Sequence, residues 1–195
     1  MKTLVIVAHP NLNGGSNVNR AWRESLVGTD MNVRELYDLY PNWTIDIQKE
    51  QELLVSHDRI VFQHPFYWYS VPPLLKKYFD DVLTYGFAYG AGGDKLAGKE
   101  WVEAISCGGP LPSYQVGGYN RYSISELLRP IEATANLCQM LFRPAFTVNR
   151  SMNLSPEEIA ESAKRYLAYI SDPNLDISTP SKLFAKLSGG DSVVE

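Results

Sequence analysis

Three stretches of this chain carry residue types suited to holding a flat, phosphorylated ligand. The first, His64-Pro65-Phe66-Tyr67-Trp68-Tyr69-Ser70, follows a short apolar run, Arg59 to Gln63, that reads as a buried strand. Aromatic side chains and a proline at a strand's carboxyl end make a rigid, half-apolar ledge where open α/β sheets bind their ligands, and such a ledge suits a planar ring. The second, Ala8-His9-Pro10-Asn11-Leu12-Asn13-Gly14-Gly15-Ser16-Asn17, joins an opening strand to a helix. A helix start offers free backbone N–H groups and a dipole that favours an anion such as phosphate, with Ser16, Asn17 and Arg20 close by to add donors and charge. On spacing alone the same residues also describe a well-capped helix with no ligand. The third, Ser106-Cys107-Gly108-Gly109-Pro110, leaves a strand with two glycines that let backbone approach a ligand closely, and Tyr114 and Gly117-Gly118-Tyr119-Asn120 come next. Each signal is weak alone; their convergence on the same ends of three strands is what points to a site.

Other chemistries fare less well. The loop after the first strand is neither GxGxxG nor GxxxxGK[ST], which disfavours a Rossmann dinucleotide site and a P-loop. Cys107 has no paired His nearby in sequence and reads as a small buried residue rather than a nucleophile. His57 and His64 have no carboxylate or cysteine at metal-ligand spacing, so no metal site is expected. Trp68 has a core side chain as its bland alternative, and Asp80 and Asp81 read as a solvated helix face.

Positioning those loops requires strands that end together. Apolar runs alternate with helical patterns, the signature of βαβ units and a parallel sheet. Strands are expected at Thr3 to Ala8, Asn32 to Leu36, Arg59 to Gln63, Glu100 to Ser106 and Ala145 to Val148, and helices at Ser16 to Val27, Ser70 to Leu83, Ser123 to Leu141 and Ser155 to Ile170. Ser16, Ser123 and Ser155 are good N-caps, and Ser155-Pro156-Glu157-Glu158 matches a capping box. These elements predict an α/β three-layer sandwich with a five-stranded parallel sheet in the order 2-1-3-4-5, its crevice between strands one and three. The glycine-rich stretch Gly86 to Gly98 reads as a mobile loop. After Ile170 the composition turns to Ser, Pro, Asp and Asn, so residues 1–171 are expected to form one domain and 172–195 a peripheral tail.

At 195 residues the chain can bury roughly 70% of the surface its unfolded form exposes, which suffices for one core. Its 18 basic and 22 acidic residues, a net charge of -4, argue against nucleic acid or an anionic membrane as partner. Two cysteines, Cys107 and Cys138, read as thiols, and with a strand-like rather than signal-like start they point to a cytoplasmic protein. No apolar run is long enough to span a membrane, so direct membrane insertion is not expected.

Taken together, the His9-Pro10 loop with Ser16-Asn17, the Pro65-Phe66-Tyr67-Trp68 ledge leading into Val71-Pro72-Pro73-Leu74-Leu75-Lys76, and Cys107-Gly108-Gly109 with Tyr114 resemble the NAD(P)H:quinone oxidoreductase (DT-diaphorase) branch of the flavodoxin-like fold. The likeness runs over residues 1–170; Leu36 to Pro41 and Gly86 to Gly90 are most similar to bacterial members. Those include general NAD(P)H oxidoreductases and the cytosolic ancillary subunit of glutathione-gated potassium efflux antiporters. The resemblance implies a tightly bound flavin, FMN in a chain this short, with FAD as the alternative. His9, Ser16 and Asn17 would hold its phosphate, Pro65, Phe66, Tyr67 and Trp68 would line the isoalloxazine edge, and Cys107, Gly108 and Gly109 would approach its pyrimidine end. It also implies a ping-pong cycle in which NAD(P)H delivers hydride and a quinone or similar acceptor removes the electrons, in a homodimer whose sites borrow residues across the interface. In the mammalian enzyme a Tyr and a His stabilise charge on the reduced flavin. The Tyr matches Tyr114, but the His falls on Asn120, which can donate a hydrogen bond and cannot carry a proton's charge. The Gly109 N–H and the Tyr114 hydroxyl then become the expected donors, with Asn120 beside them.

Two other readings remain. A regulatory subunit docked on a potassium efflux antiporter is favoured by the match over Tyr37 to Leu54, whereas Pro110 to Tyr114 and Asn120 look more like free-standing bacterial oxidoreductases. A one-electron carrier fits less well, because carriers usually have a Thr/Ser-rich phosphate loop and this one begins with His9-Pro10.

Overall fold

Continuous burial on both faces explains why the strands read as unbroken apolar runs. In the computed structural model, which describes residues 1–175, all five residues of strand β1 (Thr3–Val7) are buried. Beside it lie β2 (Asn32–Glu35) and β3 (Arg59–Pro65), with β4 (Glu100–Ser106) next to β3 and two short edge segments, β5 (Leu141–Phe142) and β6 (Phe146–Val148), beyond it. Every pairing is parallel. The order is the expected 2-1-3-4-5, with the fifth position shared by β5 and β6, both of which pair with β4. Pro144 lies between the two segments and has no N–H to give the ladder, which accounts for the interruption. Most of the expected tail, residues 176–195, lies outside the described residues.

Eight α-helices among the described residues cover the sheet: α1 (Leu12–Gly15), α2 (Asn17–Glu24), α3 (Leu36–Leu39), α4 (Ile47–Ser56), α5 (Pro73–Val82), α6 (Ile124–Leu127), α7 (Arg129–Leu137) and α8 (Pro156–Ser171). Alternation along the strands sorts the side chains. Leu4, Ile6, Phe62 and Trp101 pack with Leu75 and Tyr78 of α5, while Val5, Val61 and Val102 pack on the other face with Trp22 of α2 and Tyr166 of α8. Trp22 and Tyr166 stack at 5.0 Å between ring centroids, which joins α2 to α8.

Several expectations change in detail, each for a local reason. The single helix expected over 123–141 is two helices that meet at Leu128, because Pro130 cannot donate to the carbonyl one turn back and opens α7 instead. Its last residue, Leu141, belongs to β5. The helix expected from Ser70 begins at Pro73, and Tyr67 and Ser70 exchange backbone hydrogen bonds of 3.1 and 2.9 Å in a tight hairpin. Helix α4 has no counterpart in the sequence reading. Its apolar period is broken because Glu50 faces inward, fully buried, where the Tyr40 hydroxyl donates to it at 2.6 Å and Arg34 forms an ion pair with it. The 86–98 stretch is irregular, as expected, yet anchored: Ala88 and Leu96 are buried, and the Gly98 N–H donates to the Gln139 carbonyl at 2.9 Å.

Candidate functional site

Strands β1, β3 and β4 deliver their carboxyl ends side by side, and a cavity of about 470 Å³ opens there. One end of it is the start of α2, the expected anion cradle. Ser16 caps α2, its hydroxyl oxygen accepting from the Asn19 N–H at 3.1 Å, and the first turn of α2 holds no acidic residue. First-turn N–H groups have no partner within a helix, so their dipoles face the cavity's Gly15, Ser16 and Asn17 wall. His9 completes this end. The Asn11 N–H donates to its Nδ1 at 3.1 Å, which places the ring's own proton on Nε2. Burial holds the His9 pKa below its ordinary 6.5, so the ring is neutral at pH 7 and acts as a donor through Nε2–H.

The depressed pKa fixes the sign of the pH dependence. The contribution of neutral His9 to stability is complete above about pH 6.5, and it is lost as pH falls from there through the folded value. NMR titration of the ligand-free protein is expected to place His9 below 6.5, and adding inorganic phosphate at the cradle is expected to raise it.

The opposite walls are the aromatic ledge and the diglycine turn. Pro65, Phe66 and Tyr67 line the cavity from β3, and Ser106 and Gly108 line it from β4. A Cβ placed on Gly108 would meet nothing within 4 Å, so this position faces open space. A Cβ on Gly109 would instead lie 3.3 Å from the Tyr114 ring, 3.5 Å from its hydroxyl and 3.6 Å from Asn120 Nδ2. Gly109, Tyr114 and Asn120 therefore converge, and the Tyr114 ring stands 6.3 Å from that of Phe66. Burial raises the Tyr114 pKa above 10, while a hydrogen bond from the Gly109 backbone works against that rise. Tyr114 also borders a second cavity, about 520 Å³, walled by Ile124, Leu128 and Phe142.

Five of the expected residues, Trp68, Cys107, Gly109, Tyr114 and Asn120, are not among those lining this cavity; the last three cluster beside it, next to Gly108. Trp68 is 92% exposed and is not among the lining residues. Cys107 is fully buried behind the turn, where its thiol is pushed up to about 12, which removes it as a nucleophile near neutral pH. Trp68 and Tyr69 form the corner of the hairpin with φ of 48° and 61°. Left-handed backbone at non-glycine residues costs roughly 1–2 kcal/mol each, so the turn holds strain.

Other lining residues escaped the sequence reading. The loop after β6 closes over the diglycine turn: the Ser151 N–H donates to the Cys107 carbonyl at 2.9 Å, and Asn149 Nδ2 donates to the Gly109 carbonyl at 3.2 Å. That places Ser151 and Met152 on the cavity wall, with no motif to announce them beyond their position after the last strand. Ser106 is set by a buried chain in which Gln63 Nε2 donates to the Asn19 carbonyl at 2.9 Å and Asn19 Nδ2 donates to the Ser106 hydroxyl oxygen at 2.8 Å. The Ser106 hydroxyl proton stays available to the cavity. Polar residues at the ends of two apolar strands were the available signal. Beneath the ledge, His64 Nε2 lies 2.6 Å from Glu103, whose other oxygen accepts from Trp101 Nε1 at 2.7 Å. Among the described residues no group of three or more His, Cys, Asp or Glu could hold a metal ion, and no helix is long and apolar enough to cross a membrane.

Comparison with known proteins agrees with this arrangement. A family described as having a Flavodoxin-like fold matches residues 1–170. The chain is 51% identical over 177 residues to the uncharacterized NAD(P)H oxidoreductase YdeQ of Bacillus subtilis, covering 90% of this chain and 89% of that one. It is 42% identical over 173 residues to KefG of Salmonella paratyphi B, a glutathione-regulated potassium-efflux system ancillary protein, covering 88% and 94%. Among solved structures, general stress protein 14 of Treponema denticola in complex with FMN superposes with a TM-score of 0.84 at 41% identity, over 90% of this chain and all of that one. An NADPH-quinone reductase from P. pentosaceus gives 0.80 at 34% identity, over 88% and 99%. Sheet order, crevice position and these likenesses over nearly the whole described chain agree: the chain belongs to the Flavodoxin-like family, in the group that contains the bacterial NAD(P)H oxidoreductases and the potassium-efflux ancillary proteins.

Proposed function

We propose that the protein is an FMN-dependent NAD(P)H oxidoreductase that passes electrons to quinones or similar flat acceptors. The observation that carries this reading is the division of one cavity into an anion cradle at α2 and an aromatic ledge facing a diglycine turn. Its donor set fits FMN: Ser16, Asn17, the α2 N–H groups and His9 Nε2–H suit a phosphate, Ser106 and Ser151 offer hydroxyls, and Phe66 and Tyr67 offer an apolar edge. FMN, when bound, supplies the two-electron chemistry between NAD(P)H and the acceptor. The chain's part is to bind, orient and stabilise charge. Phe66 and Tyr67 with Pro65 would hold the FMN ring, and the open space at Gly108 would admit it. Tyr114, Asn120 and the Gly109 backbone, which lie together, would supply hydrogen-bond donors rather than an imidazolium to negative charge at the adjacent end of a bound flavin.

Exposed aromatic and apolar residues, among them Trp68, Tyr85, Tyr119, Tyr122 and Val116, crowd the loops beside the site and support a homodimer that shelters it. Two buried thiols, Cys107 and Cys138, support a cytoplasmic setting. The likeness to KefG supports a second reading, a cytosolic subunit of a potassium efflux antiporter that keeps the flavin site. Initial-rate kinetics with NADPH and benzoquinone test the first: parallel double-reciprocal lines are expected, and FMN-loaded protein with no turnover would leave the subunit reading in its place.

A further inference from the structure

Resting on the oxidoreductase reading, we propose that Tyr69 is a positioning residue that holds Asn120 as a hydrogen-bond donor toward the pyrimidine end of the flavin. The Tyr69 hydroxyl donates to Asn120 Oδ1 at 3.1 Å. A carboxamide has one oxygen and one nitrogen, so occupying Oδ1 from the ledge side turns Nδ2 the opposite way. Nδ2 then lies 3.6 Å from the point where a Gly109 Cβ would stand, beside the Tyr114 hydroxyl at 3.5 Å from that same point. Asn120 is already fixed at its backbone, where its N–H donates to the Ser113 carbonyl at 2.9 Å and its carbonyl accepts from Tyr122 at 2.8 Å. What is left to set is the side chain, its rotamer and its amide orientation. Tyr69 sets it from a position 51 residues away in sequence, across the mouth of the site.

The backbone supplies an independent argument. Two-residue hairpins with positive φ at both corners favour Asn-Gly or Gly-Gly, yet this one has Trp68 and Tyr69 there. A strained turn built from aromatics retains them for what their side chains reach. The Tyr69 ring packs edge-on against Phe66, 6.4 Å between centroids at 87°, and this contact aims its hydroxyl at Asn120. The hairpin thus does two things: Phe66 and Tyr67 face the cavity, and Tyr69 locks the loop that carries Tyr114 and Asn120.

Tyr69→Phe, Asn120→Ala and the double variant, each loaded with FMN, are compared with the native sequence for FMN affinity, thermal midpoint and two-electron midpoint potential. Tyr69→Phe is expected to leave the affinity for oxidised FMN within about twofold, since the phosphate and ribityl contacts are untouched. It is expected to weaken the preference for reduced over oxidised FMN about tenfold, a shift of about 30 mV to lower potential. Asn120→Ala is expected to give a shift of the same size, and the double variant no more than either single one. A merely structural role for Tyr69 would lower the thermal midpoint and FMN affinity without moving the potential. An unchanged potential in Tyr69→Phe, or additive shifts in the double variant, would overturn the inference. If Tyr69→Phe does not fold, an Asn120→Ala potential equal to that of the native sequence overturns it as well. Failure of the native sequence to bind FMN, or to be reduced by NADPH, would remove the oxidoreductase reading itself and is seen before any variant is made.

Discussion

Gly108→Leu is expected to weaken FMN binding by at least about a hundredfold, close to 2.7 kcal/mol, while the protein keeps its fold and thermal midpoint. The asymmetry comes from what surrounds the position. A Cβ at Gly108 meets nothing within 4 Å, the residue is exposed, and its φ lies outside the left-handed range, so a side chain can be added without strain in the free protein. That same space is the cavity between the diglycine turn and the ledge, and a leucine would occupy the room a ring needs. Gly109→Leu serves as the contrast. Its Cβ already presses to 3.3 Å from the Tyr114 ring, so the larger side chain displaces a half-buried contact and lowers stability as well as binding. Fluorescence titration with FMN alongside thermal melts of both variants separates the two effects. Native-like FMN affinity in Gly108→Leu would mean that the ring does not lie against this turn.

Glu103→Leu is expected to cost about 3–5 kcal/mol of stability, because it leaves a buried histidine without its partner. His64 and Glu103 are both fully buried, on adjacent strands and on the same face of the sheet. His64 Nε2 is 2.6 Å from Glu103, its Nδ1 is 3.0 Å from the Pro65 carbonyl, and Trp101 Nε1 bonds the other carboxylate oxygen at 2.7 Å. Removing one member strands polar atoms in a core of Phe62, Tyr78 and Ile105. Replacing both, His64→Phe with Glu103→Leu, is expected to recover most of the loss, since a buried pair and an apolar pair of similar volume are often equally stable. Urea denaturation of the two single variants and the double variant measures the coupling. A single Glu103→Leu change costing less than about 1 kcal/mol would show that the pair is not the element holding the ledge-bearing end of β3 to β4.

The sheet was legible because β1, β3 and β4 are buried on both faces and therefore appear as continuous apolar runs ending in loop chemistry. Ser16, Phe66 and Gly108, which line the cavity, stand out in the sequence for the same reason: each lies in a loop that follows a strand, against an apolar background. What stayed hidden depends on contacts distant in sequence. Helix α4 hides its amphipathic pattern because Glu50 is buried against Arg34 and Tyr40 rather than exposed. Ser151 and Met152 reach the site only because their loop bonds to Cys107 and Gly109, which lie far earlier in the chain. The Tyr69–Asn120 bond spans two loops that no local pattern connects. Trp68, grouped with the ledge by sequence, is turned out to solvent by the hairpin, a placement set by backbone that no local pattern announces.

The absorbance spectrum of the purified protein with FMN, taken anaerobically before and after NADPH and again after benzoquinone, tests the central claim most directly. The expected result is a bound flavin band that bleaches with NADPH and returns with the quinone. A chain that binds no FMN after reconstitution, or whose bound FMN is untouched by NADPH and by NADH, would contradict the oxidoreductase reading.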